Sequence, residues 1–496
     1  MVEAINRAGL RVSMDVVYNH TTASGQDPAS VLDRIVPGYY HRLDRVGNIE
    51  TSTCCPNTAT EHRMMEKLMV DSVVTWARQY KVDAFRFDVM GHHSKLNMLR
   101  VRAALDALTL AADGVDGKAV YLYGEGWNFG EVADDARFVQ ARQGNLAGTG
   151  IGTFNDRLYH AVRGPGPFRD DSRARRQGFG SGLYTDPNGD ATNGTPEQQR
   201  ARLLAFQDLV KLGLAGNLRD YSFIDHTGTT IRGDEFDLGG EPAGYAGSPS
   251  ETNTDVDVHD GETLFDSLQY KLPTATSMSD RVRMNTLSLA TTVFAQGVTL
   301  WHGGTDLLRS KSLDINSYDS GDWFNRIDWS RKQTTWGSGL PPAPDNQPLW
   351  PVMRPLLTDR ALQPTTQHIS TAADRATELL RIASSSPLFD LATASAVQAR
   401  VGFPQGGPDQ PLGVIVMTLD DSAGVDLDPR WERLVVVFNA SPHTTTQTLP
   451  AEAGRSFSLH PVQTNGRDRV VRDATFDTAT GGFAVPARTV AVFVSQ

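Results

Sequence analysis

Several things are scarce in this chain of 496 residues. It has two cysteines, and they are neighbours, Cys54 and Cys55. Across a trans peptide their Cα atoms lie about 3.8 Å apart, shorter than the usual disulfide span. They are therefore either two free thiols or a strained vicinal disulfide. No apolar run approaches the roughly 18 residues needed to cross a membrane. Lysine and arginine are scattered with no basic block, which argues against a nucleic-acid partner. The net charge of −11 mainly serves solubility. Internal repeats and low-complexity tracts are absent. The first twenty residues lack the charged and apolar regions of a signal peptide. Instead Val2, Ile5 and Ala8 read as part of a helix stopped by Gly9, followed at once by a strand. So abrupt a start leads us to expect further chain upstream.

What is present is a long alternation of strands and helices. Strands are expected at Leu10–Tyr18, Val82–Val89, Ala119–Gly124, Gly152–Asp156, Asp255–His259 and Val298–Trp301. Helices are expected at Met65–Tyr80, Ala104–Leu110, Gln198–Leu214, Asp280–Ala295 and Ala372–Ala383. Repeated β-then-α units imply a parallel sheet with helices outside. A closed barrel needs eight strands. The expected fold class is α/β, a (β/α)8 TIM-barrel type that lacks its first two strands, over residues 1–385. Long insertions at Thr21–Thr60, Gly164–Thr195, Asp220–Thr254 and His302–Thr371 mostly follow strand ends, where barrel enzymes build their sites. Residues 386–496 are different. Short β-rich runs at Leu412–Leu419, Arg433–Asn439, Thr444–Leu449, Ser456–Pro461 and Thr489–Val494 predict a C-terminal antiparallel β-sandwich domain.

Polar clusters sit at four strand ends. AFRFDVMGHH places Arg86 and Asp88 two residues apart, so period two puts them, with Met90, on one face and Phe85, Phe87 and Val89 on the other. Alone, such a pair is most simply a structural ion pair. DVVYNH contributes Asp15, Asn19 and His20. YLYGEGW contributes Glu125 and Trp127. VDVHDGE contributes His259 and Asp260. In a barrel these ends converge on one face. Two acids on opposing strands suit glycoside hydrolysis, with one ionised and the other holding a proton. Arg86 favours an ionised Asp88. Glu125, between glycines and beside Trp127, is the better candidate for a raised pKa. A metal cluster ranks lower, because tight His and Asp ligand spacing is missing.

In this order the four motifs resemble the signature regions of the α-amylase clan, glycoside hydrolase family thirteen. GEGW resembles its debranching branch, the bacterial pullulanases and limit dextrinases. STCCPNTATEHRM, AGTGIGTFNDRL, RVRMNTLSLAT and LLRSKSLDINSYDSGDWFNR extend the resemblance over nearly the whole chain. It implies a retaining hydrolase of α-1,6-glucosidic bonds in pullulan, branched starch or glycogen, and limit dextrins. Asp88 would be the nucleophile, Glu125 the acid and then the base, and Asp260 the transition-state stabiliser. Arg86, His20, His259 and Trp127 would contact or position substrate, with Asp15 and Asn19 in support. Asp322, Asn325 and Arg326 would line donor subsites, with a plain surface turn as the alternative. Cys54 and Cys55 fall in a loop where relatives carry vicinal cysteines. The chemistry would need no cofactor; calcium is admitted as a structural ion without identified ligands. The implied partner is an α-glucan polysaccharide, and the implied location is extracellular or at the cell surface.

There are departures. Gly261 stands where relatives usually have Asn, Asp255 where they usually have Tyr, and His92–His93 where Tyr-His is commoner. A tyrosine signature found upstream of the first region in relatives is also absent. Two alternatives accompany the α-1,6 assignment: an isoamylase-like or α-1,4-acting hydrolase, and an inactive truncated fragment with residual glucan binding.

Overall fold

The computed structural model describes residues 1–166 and 171–496. Part of the expected insertion at Gly164–Thr195 thus lies outside the described residues. Contacts divide the chain into two compact units, Met1–Phe154 with Tyr245–Asn253, and Asn155–Gly244 with Thr254–Gln496.

The first unit is built on a parallel sheet. Strands β1 (Ser13–Val16), β2 (Ala84–Phe87), β3 (Tyr121–Gly124) and β4 (Gly152–Phe154) pair in sequence order, and Thr252 and Asn253 extend the sheet beyond β4. Phe85, Phe87 and Leu122 are buried beneath helix Arg63–Tyr80. That helix buries Met65, Met69, Val73 and Ala77, one residue per turn along a single stripe. Burying each of its larger side chains contributes on the order of 1.5–3 kcal/mol. The helix expected at Ala104–Leu110 is divided. Its first part ends the longer helix Lys95–Asp106, begun by a Ser94–Asn97 capping box. Thr109 then accepts the Ala112 N–H and starts a separate turn, Leu110–Asp113.

In the second unit, helices Pro196–Leu214, Met278–Val293 and Thr366–Ala383 match the expected ones within a few residues at most ends, the last starting six earlier. The strand expected at Asp255–His259 does not form. Its alternating pattern is misleading because Asp255 and Asp257 are both buried. Asp257 Oδ2 accepts the Leu264 N–H and the Thr305 hydroxyl, each at 3.0 Å, so a carboxylate organises this segment as a loop. The ladder stops at Thr254, whose carbonyl accepts the Leu300 N–H. After residue 400 the strands are antiparallel. Val414–Asp420, Arg433–Asn439 and Thr489–Ser495 form the middle of one sheet, and Thr445–Thr448, Gly482–Val485 and Thr475–Asp477 form another. One apolar cluster takes Val416, Val435 and Phe493 from the first sheet and Phe483 and Val485 from the second.

Candidate active site

Register brings the first charges together. Asp15 on β1 is the Cα partner of Arg86 on β2, so both side chains leave the same face of the sheet. Arg86 Nη1 donates to Asp15 Oδ1 and to Asp88 Oδ1, each at 2.9 Å. Its Nη2 lies 2.6 Å from Glu125 Oε1, just past the end of β3. One guanidinium therefore joins carboxylates from three consecutive parallel strands. Its side chain is 7 % exposed, that of Asp88 20 % and that of Glu125 14 %. Burial disfavours the arginine's charge. The field of Glu125, then of Asp15 and Asp88, more than offsets this and raises its pKa above the ordinary value. The guanidinium also lies over the Phe154 ring.

The chain leaves β2 after Phe87. Met90 therefore does not share the face of Arg86 and Asp88 as period two predicts, and is fully buried in the apolar core instead. The cause is Val89, which sits at φ 40, unusual for a β-branched residue. Its backbone N–H donates to Glu125 Oε2 at 2.9 Å. Residue-type patterns gave no sign of Val89 as part of the site, because only its backbone acts. Two residues on, Gly91 donates its N–H to Glu125 O at 2.9 Å. A Cβ at Gly91 would fall 2.1 Å from Trp127 O, so this close approach admits only glycine. Trp127 itself is half-buried.

Asn19 and His20 complete the group. With the Asn19 amide oriented to satisfy both ends, its nitrogen donates to Asp88 O at 3.1 Å and Oδ2 at 3.2 Å. Its oxygen accepts from His20 Nδ1 at 2.9 Å. His20 Nδ1 is 4.0 Å from Asp88 Oδ2. Burial lowers the His20 pKa despite the opposing pull of Asp88. On its other side His20 Nε2 lies 3.6 Å from Cys54 Sγ, and Cys54 and Cys55 are joined as a vicinal disulfide.

Behind this group lies a buried network absent from the sequence reading. Arg42, 1 % exposed, donates to Glu61 Oε2 (2.9 Å), Glu131 Oε1 (2.8 Å) and the His92 carbonyl (3.0 Å). Asn57 Nδ2 donates to Glu131 Oε1 at 3.0 Å. These bonds tie the loop carrying the cysteine pair to the segments that follow Asp88 and Glu125. Burial opposes ionisation of Glu131, but Ser52 and Arg42 outweigh it and bring its pKa down to about 2. Burial holds His92 neutral, with a pKa of about 4, and His93, with one of about 3. An arginine in an irregular loop carries no periodic signal, so only contact reveals this role.

The remaining candidates lie in the second unit. His259 and Asp260 are exposed, 58 % and 62 % for their side chains, with His259 Nε2 3.6 Å from Asp260 Oδ1. The buried Lys311 ammonium donates to the His259 carbonyl at 2.9 Å and steadies the loop. Gly261 has φ +75, a conformation that asparagine also tolerates, so the departure at this position keeps the backbone. Asp255 is fully buried, and burial, reinforced by Asp257, raises its pKa well above the carboxylate range. Asp322 and Arg326 are exposed on a short turn. Asn325 there accepts from the Ser317 hydroxyl at 2.8 Å and donates to the Ser317 and Gly321 carbonyls, so its amide braces the loop.

Residues 331–496 match the family described as alpha-1,6-glucosidases, pullulanase-type, C-terminal. Pullulanase 1, chloroplastic, of Arabidopsis thaliana is 45 % identical over 503 residues, covering 100 % of this chain and 52 % of that protein. Pullulanase of Klebsiella pneumoniae is 41 % identical over 498 residues, covering 99 % of this chain and 44 % of its own. The crystal structure of Klebsiella pneumoniae pullulanase complexed with maltotriose superposes with a TM-score of 0.92 at 40 % identity, covering 100 % of this chain and 46 % of that one. The chain spans about half the length of the relatives it matches. Along its whole length it is a homologue of that half of the pullulanase-type α-1,6-glucosidases.

Proposed function

We propose that this chain carries the chemistry of a retaining glycoside hydrolase that cleaves α-1,6-glucosidic bonds in pullulan, branched starch or glycogen, and limit dextrins. The observation that carries it is the Arg86 clamp on Asp88 and Glu125, in a chain homologous throughout to pullulanases. Asp88 is the nucleophile. Its carboxylate, fixed by Arg86 and Asn19, attacks the anomeric carbon as the glycosidic bond breaks. Glu125 gives a proton to the leaving oxygen, then takes one from the water that releases the sugar. In the arrangement described, Arg86 Nη2 and the Val89 N–H each present a donor to the Glu125 carboxylate. Its acid role requires the Arg86 contact to loosen as substrate enters. A retaining mechanism places the two carboxyl groups about 5–5.5 Å apart.

In the same proposal Asp260 stabilises the transition state, and His20 and His259 contact the sugar at the cleaved bond. Trp127 lines the acceptor side. Asp322 and Arg326 serve the donor side on a loop braced by Asn325. The proposed architecture is a (β/α)8 barrel within residues 1–385, to which this chain contributes strands three to eight, and a β-sandwich at 386–496. No cofactor takes part. Calcium enters the proposal as a structural ion only, held by oxygen ligands and apart from the chemistry.

Products released from pullulan by the full-length protein test this. Maltotriose is expected from α-1,6 cleavage. Panose or isopanose would replace the proposal with an α-1,4 activity, and binding without products would leave a glucan-binding fragment.

A further inference from the structure

His20, Cys54 and Cys55 place their ligand atoms within 4.8 Å of one another. The imidazole is set up for this in advance. Asn19 accepts from His20 Nδ1, which fixes the proton on that nitrogen and leaves the Nε2 lone pair facing Cys54 Sγ. A hydrogen bond on the far nitrogen is how proteins orient metal-binding histidines. Cys54 is exposed, and Cys55 and His20 are half-buried, so a hydrated ion can reach all three. Asn57 bridges His20 through the backbone, and the Arg42–Glu131 network holds Asn57, so the loop and the strand end are kept in register.

We propose that, once the Cys54–Cys55 bond is reduced, the two thiolates and His20 Nε2 form a three-ligand site for a soft, thiophilic cation such as zinc, cadmium or cuprous ion. A dithiol supplies two electrons and two protons. The S–S bond breaks, two thiols form, and the reductant leaves as its own disulfide. Cation binding then releases both thiol protons. The disulfide form has no thiolate to offer, so the site exists in one redox state. An ion held there draws His20 toward the cysteines and away from Asp88. The effect on turnover rests on the reaction proposed above; binding does not.

The test is titration of cadmium(II) into the full-length protein under anaerobic conditions, before and after treatment with dithiothreitol and its removal. Sulfur-to-cadmium charge-transfer absorption should rise to a break at one equivalent in the reduced protein and be absent in the oxidised one. Asn19→Ala should weaken binding by about tenfold, and His20→Gln by at least as much. Thermal unfolding of both variants checks that they are folded. Equal absorption in the oxidised protein, or in Cys54→Ser/Cys55→Ser after reduction, overturns the site. Unchanged affinity in His20→Gln, or in a folded Asn19→Ala, overturns the proposed role of the histidine. Loss of pullulan hydrolysis without cadmium bears only on the catalytic assignment.

Discussion

Asp88 and Asp260 carry proposed roles in one reaction, yet their surroundings are opposite. Asp88 leaves the end of a buried parallel strand, is mostly buried, and is held by Arg86 and Asn19. Asp260 lies on a loop, 62 % exposed, with His259 Nε2 3.6 Å from its Oδ1. The proposed nucleophile must be aimed before substrate arrives, and the contacts from Arg86 and Asn19 hold its carboxylate in place. A residue that grips sugar hydroxyls can acquire its geometry from the substrate. In the proposed reaction, electrostatic pre-organisation is thus concentrated where a bond would form.

Substitutions can test this contrast in the full-length protein. Asp88→Asn should lower kcat by at least about 10⁴-fold, as expected for a catalytic nucleophile. Near-normal pullulan turnover would remove Asp88 from that role. Arg86→Met leaves three carboxylates without their common counter-charge. A loss of about 3 kcal/mol in unfolding free energy is expected, measured by urea denaturation. If stability is unchanged, the clamp is not what holds the strand ends together. Asp260→Asn should cost less than Asp88→Asn, about 10²–10³-fold in kcat, with little change in Tm. An equal or larger loss would erase the distinction between clamped and exposed carboxylates.

The smallest expected effect concerns pH. His92 and His93 are buried and have pKa values of about 4 and about 3 when folded, below the ordinary 6.5. The unfolded chain therefore binds more protons than the folded one below about pH 6.5. The stability they contribute is complete above that pH and declines as pH falls toward 4. Between pH 7 and 5 the decline should be on the order of 1–2 kcal/mol for each histidine. Denaturation at the two pH values, with and without His92→Gln/His93→Gln, measures it. An identical slope in the double variant would place the acid sensitivity elsewhere.

Legibility followed the range of the interaction. The strand cores of the first unit stood out because β-branched and aromatic residues cluster between turn signals. The boundaries ran long, since residues such as Leu10 and Tyr18 continue the pattern without pairing. The false strand at Asp255–His259 shows the limit of alternation, which does not distinguish an exposed polar position from a buried carboxylate that orders a loop. The meeting of Asp88, Arg86 and Glu125 was legible because charged side chains at apolar strand ends are rare. Val89, Arg42 and Glu131 were not. The first acts through a backbone N–H turned by a positive φ, and the other two through partners distant in sequence.

Local pattern was enough to anticipate the alternation of strands and helices, the short β-rich runs of the C-terminal part, and the charged residues at apolar strand ends. These depend on period, turn chemistry and residue type, all local quantities. Folding settled that one arginine serves three carboxylates, that Met90 enters the core instead of the site, and that the Nε2 of His20 faces a disulfide. Each of these depends on strand register and on distances between residues far apart in the chain, which no local pattern encodes.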